Sequence, residues 1–372
     1  MAAVRLDLAS LPAMDVASRV SGLRDALPGA ECDGLLVTNI TNIRYLTGFT
    51  GSAALLLVAA DELLFVTDGR YRDQARDQLA AAGVPADIEM GRTAEEQREL
   101  VAKRASGIER LGLEAEHVTW AQERRFRDAW FEGIELVATT RLVEELREVK
   151  DEGEIARLAA AAAIADVALA DVRHRLAEGP TEAELALELE WQMRRLGAEG
   201  PSFETIVASG PNGAMPHHRA GPRRIVEGDL VVIDFGALVE GYHSDMSRTV
   251  MIGEPSATQA RMYDVVAEAQ AAGVAAVRTG VEAQAVDEAC RSVIRDAGWE
   301  DAFLHSTGHG VGLDIHESPR VSTTADAKLV DGHVVTVEPG VYLSEHGGVR
   351  IEDMVVVTPD GCRVLTGAPK DP

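Results

Sequence analysis

The chain has 372 residues, 46% apolar and 26% charged, with 36 basic and 61 acidic side chains and a formal charge of −25. This composition is globular, and the length suits two domains, each burying its own core. A field of that sign argues against nucleic acid and anionic membranes as partners, and leaves cations as candidates.

Three cysteines, Cys32, Cys290 and Cys362, are widely spaced and form no CxxC pair, which fits buried thiols in a reducing compartment. The longest apolar runs, residues 53–60 and 158–165, fall far short of the roughly 20 residues that span a bilayer. Arg5, Asp7 and Asp15 interrupt the N-terminus, so no secretory hydrophobic region is expected and a cytoplasmic setting is.

Residues 34–38 read as a buried strand, and 53–60 with 63–67 as a hairpin around Asp61-Glu62. Helical patterns cover 71–82 and 94–105, and 111–114 suits a strand. This mixture predicts an α/β N-terminal domain over 1–140, before the charged segment 144–154. The second domain, 141–372, opens with a helix in which Ile155, Leu158, Ala162, Ala165, Leu169, Val172 and Leu176 share one face. Thr181 and Glu184 form a capping box for the next helix, through about Leu196. Strand-like stretches at 203–209, 230–238 and 242–252, helices at 259–278 and 283–297, and a final block of strands predict an α+β domain. The acidity is concentrated here: residues 1–150 hold 18 basic and 25 acidic side chains, net −7, and 151–372 hold 18 and 36, net −18.

Four of those acids sit in apolar surroundings. Asp234 follows Val231-Val232-Ile233 and precedes Phe235, and Asp245 lies eleven residues later in the returning strand. With a turn centred on Val239 and Glu240, the two would lie nearly opposite each other on one face. Glu338 ends Val335-Thr336-Val337, and Glu352 lies between Ile351 and the strand 354–357. Facing buried carboxylates repel unless protons or metal compensate them. Between the two pairs stands His309, flanked by Gly308 and Gly310, which would let backbone approach a ligand closely. Four carboxylates and one imidazole suit two divalent ions; Mn²⁺ matches this oxygen-rich set best, with Co²⁺, Fe²⁺ and Zn²⁺ also accommodated.

In this order and with these flanks, Asp234, Asp245, His309, Glu338 and Glu352 resemble the five metal ligands of the creatinase/methionine aminopeptidase (pita-bread) metallopeptidases. Ser209-Gly210-Pro211-Asn212, Pro216-His217-His218, Leu313-Asp314-Ile315-His316-Glu317 and Val349-Arg350-Ile351-Glu352-Asp353 are similar to the proline-peptidase branch. In the N-terminal part, residues 42–52 and Thr67-Asp68-Gly69-Arg70-Tyr71 resemble that branch's first domain.

The resemblance implies a creatinase-like N-terminal domain, a pita-bread catalytic domain and hydrolysis of Xaa-Pro bonds by a hydroxide held between two metal ions. Asp234 would hold one ion and His309 with Glu338 the other, with Asp245 and Glu352 shared. Glu338 would also shuttle a proton to the proline nitrogen. His217 and His316 would contact substrate and stabilise the developing oxyanion, His305 would border the proline pocket, and Arg350 would orient Glu352 or the substrate. His218 and His243 are expected to be structural. A proline-containing di- or oligopeptide would be the substrate, and a homodimer the assembly, with the N-terminal domain limiting substrate length. Xaa-Pro dipeptidase (prolidase) is favoured by the compact N-terminal domain. Xaa-Pro aminopeptidase and, remotely, a non-catalytic binding protein are the alternatives.

Overall fold

The computed structural model describes residues 8–372. Two compact units divide them: one is Met14–Arg147, the other runs from Glu148 to Pro372 and takes in the described residues up to Ala13.

The first unit is built on a mixed six-stranded sheet. Its strands are β1 (Gly34–Val37), β2 (Ala54–Ala59), β3 (Leu63–Thr67), β4 (Asp87–Met90), β5 (Arg110–Glu114) and β6 (Glu135–Thr139), in the order β4-β3-β2-β1-β5-β6. The β2–β3 hairpin is antiparallel, whereas β4, β5 and β6 join in parallel, each after a helical crossover. Helices α1 (Arg19–Ala26), α2 (Ile40–Thr47), α3 (Arg72–Ala81), α4 (Ala94–Ala105), α5 (Trp120–Arg125) and α6 (Leu142–Glu148) complete the order. A fully buried core of Leu36, Leu57, Leu64, Val101 and Leu111 ties α4 to the sheet. The α/β character expected from the sequence is present; α1, α2, α5, α6, β4 and β6 are additions to the predicted elements. In α2, Ile40, Thr41, Ile43 and Thr47 are β-branched and weak helix formers. The helix forms because the Asn39 side chain caps it by accepting from the Thr41 N–H at 3.0 Å, and Gly48 ends it at φ 72°.

In the second unit, helices and antiparallel strands segregate. Helix α7 (Glu152–Val172) starts at an Asp151/Glu154 capping box, and α8 (Glu182–Leu196) at the predicted Thr181/Glu184 box. They bury Ile164, Ala168 and Leu189 against Val207, Val231 and Ile233. Those valines and isoleucine belong to strands among β7 (Gly200–Pro201), β8 (Ile206–Ser209), β9 (Leu230–Phe235), β10 (Ala237–Val239), β11 (Tyr242–His243) and β12 (Met246–Met251). A second helix pair, α9 (Ala257–Ala276) and α10 (Ala283–Asp296), packs Val266, Val286 and Cys290 against Val335, Val337 and Val355. The strands here are β13 (Gly308–Gly310), β14 (Glu317–Val321), β15 (Val334–Val337), β16 (Gly340–Leu343), β17 (Gly347–Arg350), β18 (Asp353–Thr358) and β19 (Gly361–Val364). Five of them form the sheet β14-β13-β15-β18-β19, and β16 and β17 form a separate hairpin. Cys290 sits in the α9–α10 core, in keeping with the buried thiols expected, and none of the three cysteines is paired.

Two local expectations are corrected. The turn between β10 and β11 is centred on Glu240-Gly241, one residue later than predicted, because Val239 pairs with Tyr242. Both central residues have positive φ, 45° and 77°, as a type I′ hairpin turn requires. Ser247, not Asp245, therefore stands opposite Asp234. Asp245 lies two positions along, a diagonal neighbour on the same face. The glycines beside His309 serve the sheet rather than a ligand. A Cβ at Gly308 would collide with the Thr336 carbonyl, and one at Gly310 with the Ser318 carbonyl.

His333 gives a pH test of this unit. It is 4% exposed, its Nδ1 accepts from the Val330 N–H at 3.3 Å, and burial, helped by Lys150, pushes its pKa down from 6.5 to about 4. The folded state therefore refuses a proton that the unfolded chain takes, so this contribution is complete above pH 6.5 and is lost as pH falls towards 4. Relative to His333→Gln, the wild-type unfolding free energy should fall by at most about 1.4 kcal/mol per pH unit across that window. Parallel stability–pH curves for the two proteins in urea titrations would refute the assignment.

Candidate metal centre

One cavity of about 350 Å³ collects all nine side chains singled out in the sequence: His217, Asp234, Asp245, His305, His309, His316, Glu338, Arg350 and Glu352. Strand β9 brings Asp234, and the segment joining β11 to β12 brings Asp245. Strand β13 carries His309, Glu338 follows β15, and Glu352 lies between β17 and β18. The second unit alone thus assembles the group from residues more than a hundred positions apart.

Asp245, His309 and Glu352 are all buried, and each offers a ligand atom within 4.8 Å of the other two. His309 Nε2 lies 3.5 Å from Asp245 Oδ2 and 3.6 Å from Glu338 Oε1. Its Nδ1 is 3.0 Å from the Gly310 carbonyl, which can only accept, so the ring proton sits on Nδ1. Burial pushes the imidazole pKa down to about 3 and keeps it neutral. The Nε2 lone pair consequently faces the Asp245 and Glu338 carboxyl groups. Burial first, then Glu352, Asp234 and Glu338, hold the Asp245 carboxyl well above the usual range. Burial and the neighbouring acids do the same to Glu352 and Glu338, with Arg350 opposing. Asp234 Oδ1 is buried and has no hydrogen-bond partner among the described residues. Lone pairs and carboxylates converging in a buried space are repulsive as they stand and attractive around divalent cations. The residues fit such ions.

Around this group runs a hydrogen-bond chain whose direction is fixed by chemistry. Arg350 donates from Nη2 to Asp234 Oδ2 at 2.6 Å, from Nε to Ser247 Oγ at 2.8 Å and from Nη1 to the Tyr342 hydroxyl at 2.8 Å. Ser247 passes its own proton to Glu352 Oε2 at 2.9 Å. Tyr342 donates onward to His305 Nε2 at 2.8 Å, since His305 Nδ1 is committed to the Ser306 carbonyl. His316 packs edge-on against His309, ring centroids 4.4 Å apart. Its segment is pinned by Glu317, which accepts from the Asp314 N–H at 3.1 Å and pairs with buried Lys150 at 2.9 Å.

His218 and His243 have structural partners: His218 Nε2 lies 2.9 Å from Glu182, and His243 Nδ1 lies 2.8 Å from Ser202 Oγ. Glu182, missed in the sequence beyond its place in a helix start, is fully buried. It accepts from Ser209 N, Ser209 Oγ, Asn212 Nδ2, His218 Nε2 and Gly221 N at 2.7–3.2 Å. It thus ties together the two segments, 209–212 and 216–218, that precede the acids. Ser247, Tyr342 and Arg320 were also missed. A buried serine, a strand tyrosine and an exposed arginine each have an ordinary reading, so no local signal marks them. Arg320 lines the cavity beside His316, and its guanidinium has no ion-pair or hydrogen-bond partner among the described residues.

Residues 156–359 match metallopeptidase family M24, and residues 19–149 match the creatinase/prolidase N-terminal domain. The chain belongs to metallopeptidase family M24, whose members use divalent metal ions. An uncharacterized peptidase of Bacillus subtilis strain 168 is 42% identical over 95% of this chain and 99% of its own length. A solved Xaa-Pro dipeptidase from Bacillus anthracis superposes with a TM-score of 0.92 at 39% identity, covering 96% of this chain and 99% of that one. An X-Pro aminopeptidase structure from Thermotoga maritima gives 0.84 at 36%, covering 92% and 97%. Among the described residues, no helix is long and apolar enough to cross a membrane.

Proposed function

We propose that this chain is a metal-dependent exopeptidase that hydrolyses Xaa-Pro bonds and acts as a dipeptidase. Asp234, Asp245, His309, Glu338 and Glu352 hold two divalent ions, for which the four-carboxylate, one-imidazole set favours Mn²⁺. The lone pair of His309 turned onto Asp245 and Glu338 is the observation that carries this reading. When bound, the ions supply Lewis acidity and an acidified water at neutral pH.

The chain's own groups do the rest. Glu338 takes a proton from the attacking water and delivers it to the prolyl nitrogen as the C–N bond breaks. His217 and His316 contact the substrate and stabilise the carbonyl oxygen as charge develops there. His305 borders the proline ring, and Arg350 holds Asp234 directly and Glu352 through Ser247. All five ligand positions are filled, which speaks against a non-catalytic binding role. A homodimer, a cytoplasmic setting and domains at 1–140 and 141–372 rest on the sequence resemblance and composition.

Relatives named for dipeptidase and for aminopeptidase activity lie at nearly equal identity. Arg320 favours the former, because a dipeptide ends in a carboxylate at the proline itself, and a free guanidinium in the cavity matches that charge. With Mn²⁺, Ala-Pro should be cleaved rapidly and Ala-Pro-Pro slowly; rapid cleavage of only the longer peptide rejects the dipeptidase reading. Arg320→Met should raise KM for Ala-Pro about 10- to 100-fold, as loss of a charge-assisted hydrogen bond predicts.

A further inference from the structure

Glu352 is also held through its backbone. Its backbone N–H donates to the Ser247 carbonyl at 3.1 Å, and its own carbonyl accepts from Arg248 Nη1 at 2.5 Å. Arg248 is 2% exposed and uses every guanidinium N–H. Besides Glu352 it donates to the Ser247 carbonyl at 2.9 Å, to Asp353 Oδ1 at 3.0 Å, and twice to the Ala368 carbonyl at 3.0 and 2.8 Å. Asp353, completely buried, accepts from Gln270 Nε2 at 2.9 Å and Thr366 Oγ1 at 2.8 Å, and its Oδ2 pairs with Lys370. Asp166 in turn accepts from the Gly367 and Ala368 N–H groups, both at 2.7 Å.

Residues 366–370 therefore do not end the fold passively. They supply the carbonyl, hydroxyl and ammonium that close the Arg248–Asp353 pair, and that pair clamps the peptide carrying Glu352. Two cations, Arg248 and Lys370, balance Asp353 next to a carboxylate that must itself remain available. Removing either cation leaves a buried charge undercompensated one residue from Glu352. We propose that segment 366–370 is a strap that sets the position of Glu352 for the metal ions, with Lys370 and Arg248 as positioning residues that touch neither ion nor substrate. This inference rests on Glu352 being a ligand.

The test is Mn²⁺ titration of the full-length, chelator-stripped protein by calorimetry, with kcat and KM for Ala-Pro measured alongside. Lys370→Met should weaken Mn²⁺ binding about 10- to 100-fold, the range for partners that orient a ligand, and lower kcat while KM holds. Lys370→Arg should restore both. Thr366→Val, which deletes the hydroxyl that donates to Asp353 and accepts from the Met354 N–H, should weaken binding in the same direction and serves if Lys370→Met does not fold. Unchanged Mn²⁺ affinity in folded Lys370→Met or Thr366→Val overturns the strap, even if thermal stability drops. Glu352→Gln in the same titration separates the two ideas: wild-type binding there refutes the ligand assignment, whereas lost binding there with intact Lys370→Met refutes the strap alone.

Discussion

Asp245→Ala is expected to abolish Xaa-Pro hydrolysis without unfolding the protein. Asp245 contributes one of the atoms gathered within 4.8 Å, and it faces the His309 lone pair at 3.5 Å. Deleting it removes a direct ligand, so the loss of turnover should exceed the roughly 100-fold that orienting partners produce. The stability outcome is opposite in sign. Burial and three neighbouring carboxylates penalise the Asp245 charge, so in chelator the variant should melt no lower than wild type. Wild type should gain melting temperature on adding Mn²⁺, because only the folded state presents the ligand set, and the variant should gain little. A fully active variant, or one with an undiminished Mn²⁺-dependent gain, would sink the ligand assignment.

Glu182→Ala should be the most destabilising single change outside the cavity. Its carboxylate serves donors from Ser209, Asn212, His218 and Gly221, and the side chain is fully buried. Truncation strands those donors where water cannot replace the acceptor, at a cost of about 3–5 kcal/mol. Burial would raise the Glu182 carboxyl, but the hydrogen bonds from Ser209, Asn212 and His218 outweigh it and hold the pKa below 4.5. The contribution is therefore present above that pH and disappears as the carboxylate is protonated under acid. Because residues 216–218 hang from this anchor, KM should rise as His217 loses its fixed position. Urea titrations at pH 7 decide the matter: a change of less than about 1 kcal/mol, ordinary for a surface site, would show that the donors find other partners.

Much of this is legible in the sequence. An acid in Val-Val-Ile-Asp-Phe or at the end of Val-Thr-Val-Glu is conspicuous, since a strand position buried on both sides tolerates charge only for a reason. The alternation of helix-period and strand-period segments likewise yields an α/β unit followed by an α+β one. The supporting groups were not legible, because their meaning lies in tertiary register. Ser247 matters through standing across from Asp234, Tyr342 through the Arg350 and His305 that bracket its hydroxyl, and Glu182 through loops thirty to forty residues downstream. Short helices such as α2, rich in β-branched residues, were hidden by propensity and are held by capping and packing.

The Glu240-Gly241 turn also limits how this sequence can diverge. Surface hairpin tips ordinarily absorb single-residue insertions and deletions with little penalty. Here one added or lost residue would slide the returning strand by one pairing position and send Asp245 to the opposite face. Substitutions at this tip are restrained by its positive backbone angles and by the Arg157–Glu240 ion pair at 2.7 Å, and its length is as constrained as the ligands themselves. Natural length variation should therefore accumulate elsewhere on the surface and spare these two residues.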